Sequence, residues 1–184
     1  MDLAYRCVKQ KKRVAYIVVG DMSMRQAKRR ILARVASHPY SNPTKVWPYR
    51  VKEPVRLALP QGDKQPAVIE FETVEFTEAL NADLAVKACR KLRMKVVKKK
   101  DSCFWMTVRP ARSITVLDVE NIVRSHALQN WAPHVVILDY ADNLAPLNTR
   151  VDKRDQINDS WIALSALRQR LCGLLVTATQ ADAA

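Results

Sequence analysis

The chain has 184 residues and a formal net charge of +13, with 48% hydrophobic and 27% charged residues. This composition is ordinary for a soluble globular protein, and the length predicts one domain with a real core. No apolar run is long enough to span a membrane, and the N-terminus, with a basic cluster at residues 9–13, is not a secretory signal.

Apolar runs of strand length alternate with longer segments of helical periodicity. In chain order, the pattern predicts a helix over residues 2–11, a strand over 14–19, a helix over 23–37 with Ser23 as N-cap, a helix from Thr77 or Asn81 to 97, a strand over 104–108, a helix from Thr115 or Asp118 to 129, a strand over 135–138, a helix over 155–171 and a strand over 174–178. This alternation predicts an α/β fold with a largely parallel sheet.

Residues 38–66 interrupt the alternation and contain six of the nine prolines. Prolines at this density break long elements, so the pattern predicts a Pro-rich insertion that is mainly loop and extends to residue 76. Within it, residues 69–72 alternate like a short edge strand. A loop of this length inside a compact domain is usually functional or mobile.

The chain is organised around the apolar run at residues 135–138, which begins after Pro133 and His134 and ends in Asp139. A run without polar alternation predicts a strand buried on both faces, and one turn of a buried helix is the alternative. An Asp at the C-terminal end of such a strand lies where open α/β sheets bind ligands. In nucleotide hydrolases it holds Mg²⁺, usually through water, whereas its alternative role is to cap the next turn.

Polar side chains follow three of the predicted strands, namely Asp21, Asp139 and Gln180. Because the C-terminal ends of parallel strands lie along one edge of a sheet, we expect these side chains to converge. Two carboxylates and an amide could arrange a metal ion and a water molecule. They could equally be ordinary polar residues at strand ends, and the pattern alone leaves both interpretations open.

The positive charge predicts a polyanion as the macromolecular partner, with nucleic acid favoured. It is concentrated at residues 9–13, 25–34 and 87–100, and each cluster is equally well explained as a solvated helix face. No aromatic residue is interleaved with them, so the sequence predicts no base-stacking platform. The four cysteines contain no Cys-x-x-Cys pair, which argues against zinc and fits reduced thiols in the cytosol.

The chain resembles the RecA-like ATPase core of DnaB-type replicative helicases, particularly the phage-encoded branch. The resemblance rests on three motifs. Residues 19–22, with Gln26 and Arg30, are similar to the second helicase motif, and residues 136–140 are similar to the Walker B strand. Residues 158–180 are similar to the helix and strand that lead to the Thr/Ser-Gln sensor. It covers most of the chain outside residues 38–76.

This resemblance implies an incomplete RecA-like sheet flanked by helices, with ATP and Mg²⁺ as cofactors. It implies single-stranded DNA as the partner, a hexameric ring when full length, and a cytoplasmic location in a bacterial or phage-infected cell. Asp139 would help to hold Mg²⁺ on the β- and γ-phosphates, Asp21 would orient the attacking water, and Gln180 would sense the γ-phosphate. The family usually has Glu where this chain has Asp21, and the shorter side chain would change the placement of that water.

One motif of the family is missing from these residues. The phosphate-binding loop Gly-x-x-x-x-Gly-Lys-[Ser/Thr] cannot be formed, because the glycines are Gly20, Gly62 and Gly173 and none precedes Lys-Ser or Lys-Thr. The resemblance therefore implies a helicase fragment that is inactive alone. Two alternatives are a non-catalytic nucleic-acid-binding or adaptor module, and a ring subunit whose missing site parts come from a partner chain.

Overall fold

The computed structural model describes residues 1–20, 22–41, 46–58, 68–92, 94, 102–171 and 173–179. Its elements, in chain order, are α1 (Asp2–Lys9), β1 (Val14–Val19), α2 (Met24–Ala36), β2 (Tyr49–Ala58), β3 (Val68–Phe76), α3 (Ala82–Lys91), β4 (Phe104–Arg109), α4 (Val116–Leu128), β5 (Val135–Asp139), a 3₁₀ turn (Ala141–Asn143), α5 (Lys153–Leu171) and β6 (Leu174–Thr177). Each strand and helix predicted from the apolar patterns is present. None of the helices in this described part of the chain is long and apolar enough to cross a bilayer.

Four strands form one parallel sheet in the order β4, β1, β5, β6. All six residues of β1 are buried, and so are residues 135–138 of β5. Helices cover both faces of these two central strands, which explains why their sequences are continuously apolar instead of alternating. The predicted α/β fold with a parallel sheet flanked by helices is confirmed.

The two faces of the sheet build two separate hydrophobic cores. Ala15 and Ile17 of β1 belong to the core beneath α4 and α5, where Leu164 and Leu167 are fully buried. Their neighbour Tyr16 belongs to the opposite core, beneath α1, α2 and α3. This alternation follows from the period of two along a strand, and it decides which face each side chain at the strand ends approaches.

Helices α2, α3 and α4 begin at side-chain caps. The Ser23 hydroxyl accepts a hydrogen bond from the Gln26 backbone N–H (3.3 Å), and the Gln26 side-chain oxygen accepts one from the Ser23 N–H (2.8 Å). Thr115 and Asp118 form the same reciprocal arrangement before α4, and Asn81 caps α3. These caps satisfy N–H groups that have no partner inside the helix, so each of these three helices starts directly after its capping residue.

Helix α3 is shorter than the pattern predicts. It ends at Lys91, and the Met94 N–H donates to the Cys89 carbonyl at 2.9 Å, a backbone bond typical of a helix C-terminus. The Met94 side chain is buried in the core beneath α3. This burial turns the chain away from the helix axis. The prediction of a helix to residue 97 is therefore wrong at residues 92 and 94, and the other residues from 93 to 101 lie outside the described residues.

The Pro-rich insertion contains an antiparallel hairpin formed by β2 and β3. The prediction of an edge strand at residues 69–72 is confirmed, whereas the prediction of a loop is wrong for residues 49–58. Pro54 lies where the pairing register shifts between Pro54 and Arg56. The residue left outside the ladder is Val55, directly after Pro54, and because the ladder is locally disrupted there, the neighbouring proline does not end the strand.

The β6 edge of the sheet generates a prediction about association. Within the described residues β6 pairs only with β5, and Leu174 is 45% exposed. An unpaired apolar edge is a template for strand addition, so we expect the chain to self-associate and to be marginally stable. Light scattering should show concentration-dependent oligomers that the Leu174→Lys variant reduces.

Leu128→Lys is the matched control, because Leu128 is 87% exposed at the end of α4 and not on this edge. It should leave the scattering unchanged. A wild-type chain that stays monomeric across the concentration series, with an ordinary cooperative melt, would show that the β6 edge is not adhesive.

Candidate functional site

Three strands end at the same edge of the sheet. Val18 of β1 is in register with Asp139 of β5, and Leu138 is in register with Thr177 of β6. The sequence predicts that Asp21, Asp139 and Gln180 converge at this edge. Asp139 is described there, whereas Asp21 and Gln180 lie outside the described residues, so their convergence stays a prediction.

Asp139 is held by a buried tyrosine on the neighbouring strand. The Tyr16 hydroxyl donates a hydrogen bond of 2.5 Å to Asp139 Oδ2. Tyr16 is 1% exposed, and Asp139 is half-buried at the end of β5. The two side chains meet because both lie on the side of the sheet covered by α1, α2 and α3. Asp139 Oδ1 has no hydrogen-bond partner within the described residues and remains available at the edge.

The raised pKa of Tyr16 is consistent with this hydrogen bond. Burial raises the pKa of Tyr16 far above its ordinary value, the hydrogen bond and negative charge of Asp139 raise it further, and the positive charge of Arg30 lowers it slightly. The hydroxyl therefore keeps its proton throughout the physiological range and always donates to the carboxylate. Arg30 lies on the exposed side of α2, so its charge acts from the rim of the site.

The 3₁₀ turn after β5 ties the strand ends together. Asn143 Nδ2 donates to the Val19 carbonyl at 2.8 Å, and the Arg112 N–H donates to the Asn143 carbonyl at 2.7 Å. Gly20 lies directly under the Asn143 amide and has φ of +142°, a conformation that other residues rarely adopt. The ends of β1, β4 and β5 are thus joined through one asparagine.

The end of β6 is joined to the same turn by two threonines. Thr177 Oγ1 accepts a hydrogen bond from the Ala141 N–H at 3.0 Å, and the Thr179 hydroxyl donates to Asp142 Oδ2 at 2.8 Å. Sequence reasoning missed these residues and Asn143. The available signal was their position, because each of them lies in the last two residues of a predicted strand or within five residues after its end.

Asp139 fits the way in which proteins hold Mg²⁺ on a nucleotide. Magnesium usually keeps several waters and takes one or two carboxylates, with the remaining ligands supplied by substrate phosphates. In the described part of the chain no three His, Cys, Asp or Glu side chains cluster as a closed metal cage. One oriented carboxylate with a second oxygen turned to the edge can accept a metal-bound water, and Tyr16 orients it as an outer partner.

The comparisons with known proteins support the fold alone. No protein-family model matches the chain, and no curated protein matches it. It is similar to the solved structure of a DnaB-like replicative helicase, studied with its interactions with primase, at a TM-score of 0.55 and 14% sequence identity. The match covers 95% of this chain and 35% of that helicase chain. The resemblance to the RecA-like fold seen in the sequence is thus supported distantly, by structure and not by a sequence family.

The first prediction from this site concerns Tyr16→Phe, which removes only the hydroxyl. Losing a hydrogen bond to a carboxylate should lower the free energy of unfolding by about 1.5–3 kcal/mol near neutral pH. Because the pKa of Tyr16 is raised in the folded state above the ordinary value of a tyrosine, about 10, this stabilisation is complete below about pH 10 and declines as the pH rises further. Urea denaturation of both proteins at a series of pH values measures it.

Tyr5→Phe is the control, since Tyr5 is a half-buried tyrosine of α1 that contacts Arg34 through its ring. It should lower the free energy of unfolding only a little. A Tyr16→Phe variant as stable as wild type at neutral pH would mean that Asp139 does not depend on this bond.

The second prediction concerns Gly20→Ala. A Cβ atom would collide with the Asn143 amide, and the positive φ would be strained, so the free energy of unfolding should fall by about 1–3 kcal/mol. Gly173→Ala is the control, because there the new atom meets only the His134 carbonyl at 3.4 Å. Equal stabilities of the two variants in urea would show that the turn over Gly20 adapts freely.

Proposed function

We propose that this chain carries the metal-holding part of the ATPase site of a DnaB-like helicase. The observation that supports the proposal best is the pairing of Asp139 with buried Tyr16 at the C-terminal edge of a RecA-like parallel sheet. Asp139 is the last residue of β5, and the hydrogen bond from Tyr16 occupies only one of its two carboxylate oxygens within the described residues. A dedicated buried donor that fixes its direction is what a metal-binding carboxylate requires.

In this proposal each residue acts through its position at the sheet edge. Asp139 would hold Mg²⁺ through water on the phosphates of ATP, and the bound metal would supply charge stabilisation to the transferred phosphoryl group. Asp21 would orient the attacking water, and Gln180 would sense the γ-phosphate. The network through Asn143 and Thr177 would keep the ends of β1, β5 and β6 at fixed distances, so that the three side chains act on one nucleotide.

The proposal requires a phosphate grip from residues outside this sequence. Without the Gly-x-x-x-x-Gly-Lys motif, no loop of these residues can surround the phosphates with backbone N–H groups. That grip could come from another segment of the same protein or from a neighbouring subunit of a ring. The proposal includes DNA unwinding and ring assembly only as properties of the assembled helicase, and not of this chain alone.

The test compares the chain alone with a chimera that adds a strand and phosphate-binding loop from a DnaB-like helicase. Calorimetry with Mg·ATP should show no low-micromolar binding by the 184-residue chain, because the loop supplies most phosphate contacts. The chimera should bind and hydrolyse ATP. Asp139→Asn should lower its kcat about a hundredfold or more, the scale for losing one group that stabilises transition-state charge.

Asp159→Asn serves as the control, since it removes a carboxylate from α5 and leaves the sheet edge intact. Full hydrolysis by the Asp139→Asn chimera would refute the proposed role of Asp139. Tight Mg·ATP binding by the chain alone would show that phosphates are gripped in another way.

A second candidate function is nucleic-acid binding without catalysis. The net charge of +13 and the five basic residues of α2, which contains no acidic residue, favour it. The two candidates differ in a simple respect, because Asp139→Asn should impair only the first.

A further inference from the structure

Helix α2 carries a dense cluster of positive charge. Its basic residues are Arg25, Lys28, Arg29, Arg30 and Arg34, and no acidic residue occurs between positions 22 and 38. On the other side of the sheet, α4 and α5 pair charges through Glu120, which bonds Arg124 and Arg170. The charge on α2 is therefore different in kind from the ion-paired faces of α4 and α5.

Three of these cations form a row without counterions among the residues that the structure describes. Arg25, Lys28 and Arg29 are spaced by three and four residues, so they are neighbours on one side of the helix. Arg25 and Lys28 are exposed, and none of the three makes an ion pair within the described residues. Like charges at this spacing destabilise a helix, so the row is kept at a cost that a bound polyanion would remove. Arg34 differs, since it bonds Asp2 at 2.6 Å.

An aromatic ring lies against this row. The Arg29 guanidinium carbon is 4.4 Å from the centroid of the Tyr40 ring, and Tyr40 is 42% exposed. The backbone beside Tyr40 is anchored, because the Leu80 N–H donates to the Pro39 carbonyl at 2.8 Å and the His38 N–H donates to the Ala33 carbonyl at 3.1 Å. The sequence predicts no aromatic residue among the basic clusters, and the fold supplies one from the segment after α2.

Helix α3 packs beside α2 on the same face of the sheet and extends the positive surface. Lys87, Arg90 and Lys91 are exposed along it, with Asp83 as its one acidic residue. The apolar stripe of α2, which includes Ala27 and Ile31, is buried in the core. It is unavailable for insertion into a lipid interface, which a membrane-binding amphipathic helix requires.

We propose that the row of Arg25, Lys28 and Arg29, together with Tyr40, binds single-stranded nucleic acid. The cations contact successive phosphates, and the exposed part of the Tyr40 ring stacks on an unpaired base, the combination that non-sequence-specific single-strand binders use. The basic side of α3 provides further cations for the phosphates of the nucleic-acid strand beyond α2. This inference does not rest on the ATPase proposal, because none of these residues contacts Asp139 or its hydrogen-bond partners in the described structure.

The test is fluorescence anisotropy with labelled oligothymidine and with a duplex of equal length. The triple variant Arg25→Gln, Lys28→Gln, Arg29→Gln should bind oligothymidine at least about tenfold more weakly. The slope of its log affinity against log salt concentration should be smaller in magnitude by about two. The triple variant Lys9→Gln, Lys12→Gln, Arg168→Gln is the matched control, because it removes the same charge from exposed positions elsewhere. It should lose much less affinity.

Tyr40→Leu separates stacking from charge. It should weaken oligothymidine binding about tenfold and leave duplex binding nearly unchanged, since paired bases offer no free face. Equal losses in the two triple variants would show that only net charge matters and would overturn the proposal. Unchanged binding by Tyr40→Leu would overturn the role of the ring, and thermal melting of each variant confirms that it is folded.

Discussion

Burial of β1 and β5 on both faces of the sheet is the constraint on which the rest of the structure depends. With helices on both sides, a polar group can enter this layer only if its hydrogen bond is made inside it. Tyr16 is the residue of β1 that meets this condition, and the carboxylate that satisfies it lies on the neighbouring strand, at its end. The burial that demands a partner for Tyr16 therefore also fixes the direction of Asp139, and a packing requirement becomes a means of orienting a charged group.

Polar groups at the edge beyond the strands do not need a partner inside the buried layer, because they can contact water and each other. Asn143, Thr177 and Thr179 use this freedom to bridge the ends of three strands through backbone carbonyls, N–H groups and one carboxylate. Since backbone groups supply most of these contacts, the spacing of the strand ends follows from the sheet register and not from long flexible side chains. A site built on such an edge is positioned by rigid elements, which is the condition for precise binding of a ligand.

Local signals sufficed for most of the fold. Apolar runs predict the four parallel strands, and Ser23 and Thr115 predict helix starts, because runs and caps act through neighbours in the chain. The end of α3 was not predictable in this way, since burial of Met94 decides it, and the strand through Pro54 depends on a bulge. Among the candidate site residues, Asp139 lies at the strand end that its sequence indicates. Its tie to Tyr16 depends on the pairing of β1 with β5, which spans more than a hundred residues, and the roles of Asp21 and Gln180 stay predictions.

The contact between Arg29 and Tyr40 shows why a basic cluster in a sequence is ambiguous. The two residues belong to different structural elements, and they meet only because residues 38–40 fold back along α2 and bond to residues 78–80 at the base of the hairpin. The helix meanwhile gives its apolar side to the core, and Arg25 and Lys28 on its other side are exposed and make no ion pair within the described residues, so they remain available for binding. Residues 14–36 thus contain a buried polar residue, Tyr16, and exposed cations on α2, and substitutions of the two kinds have different effects. Changing Tyr16 disturbs both the core and the sheet edge, whereas changing Arg25 or Lys28 alters the electrostatic field and leaves the packing as it is.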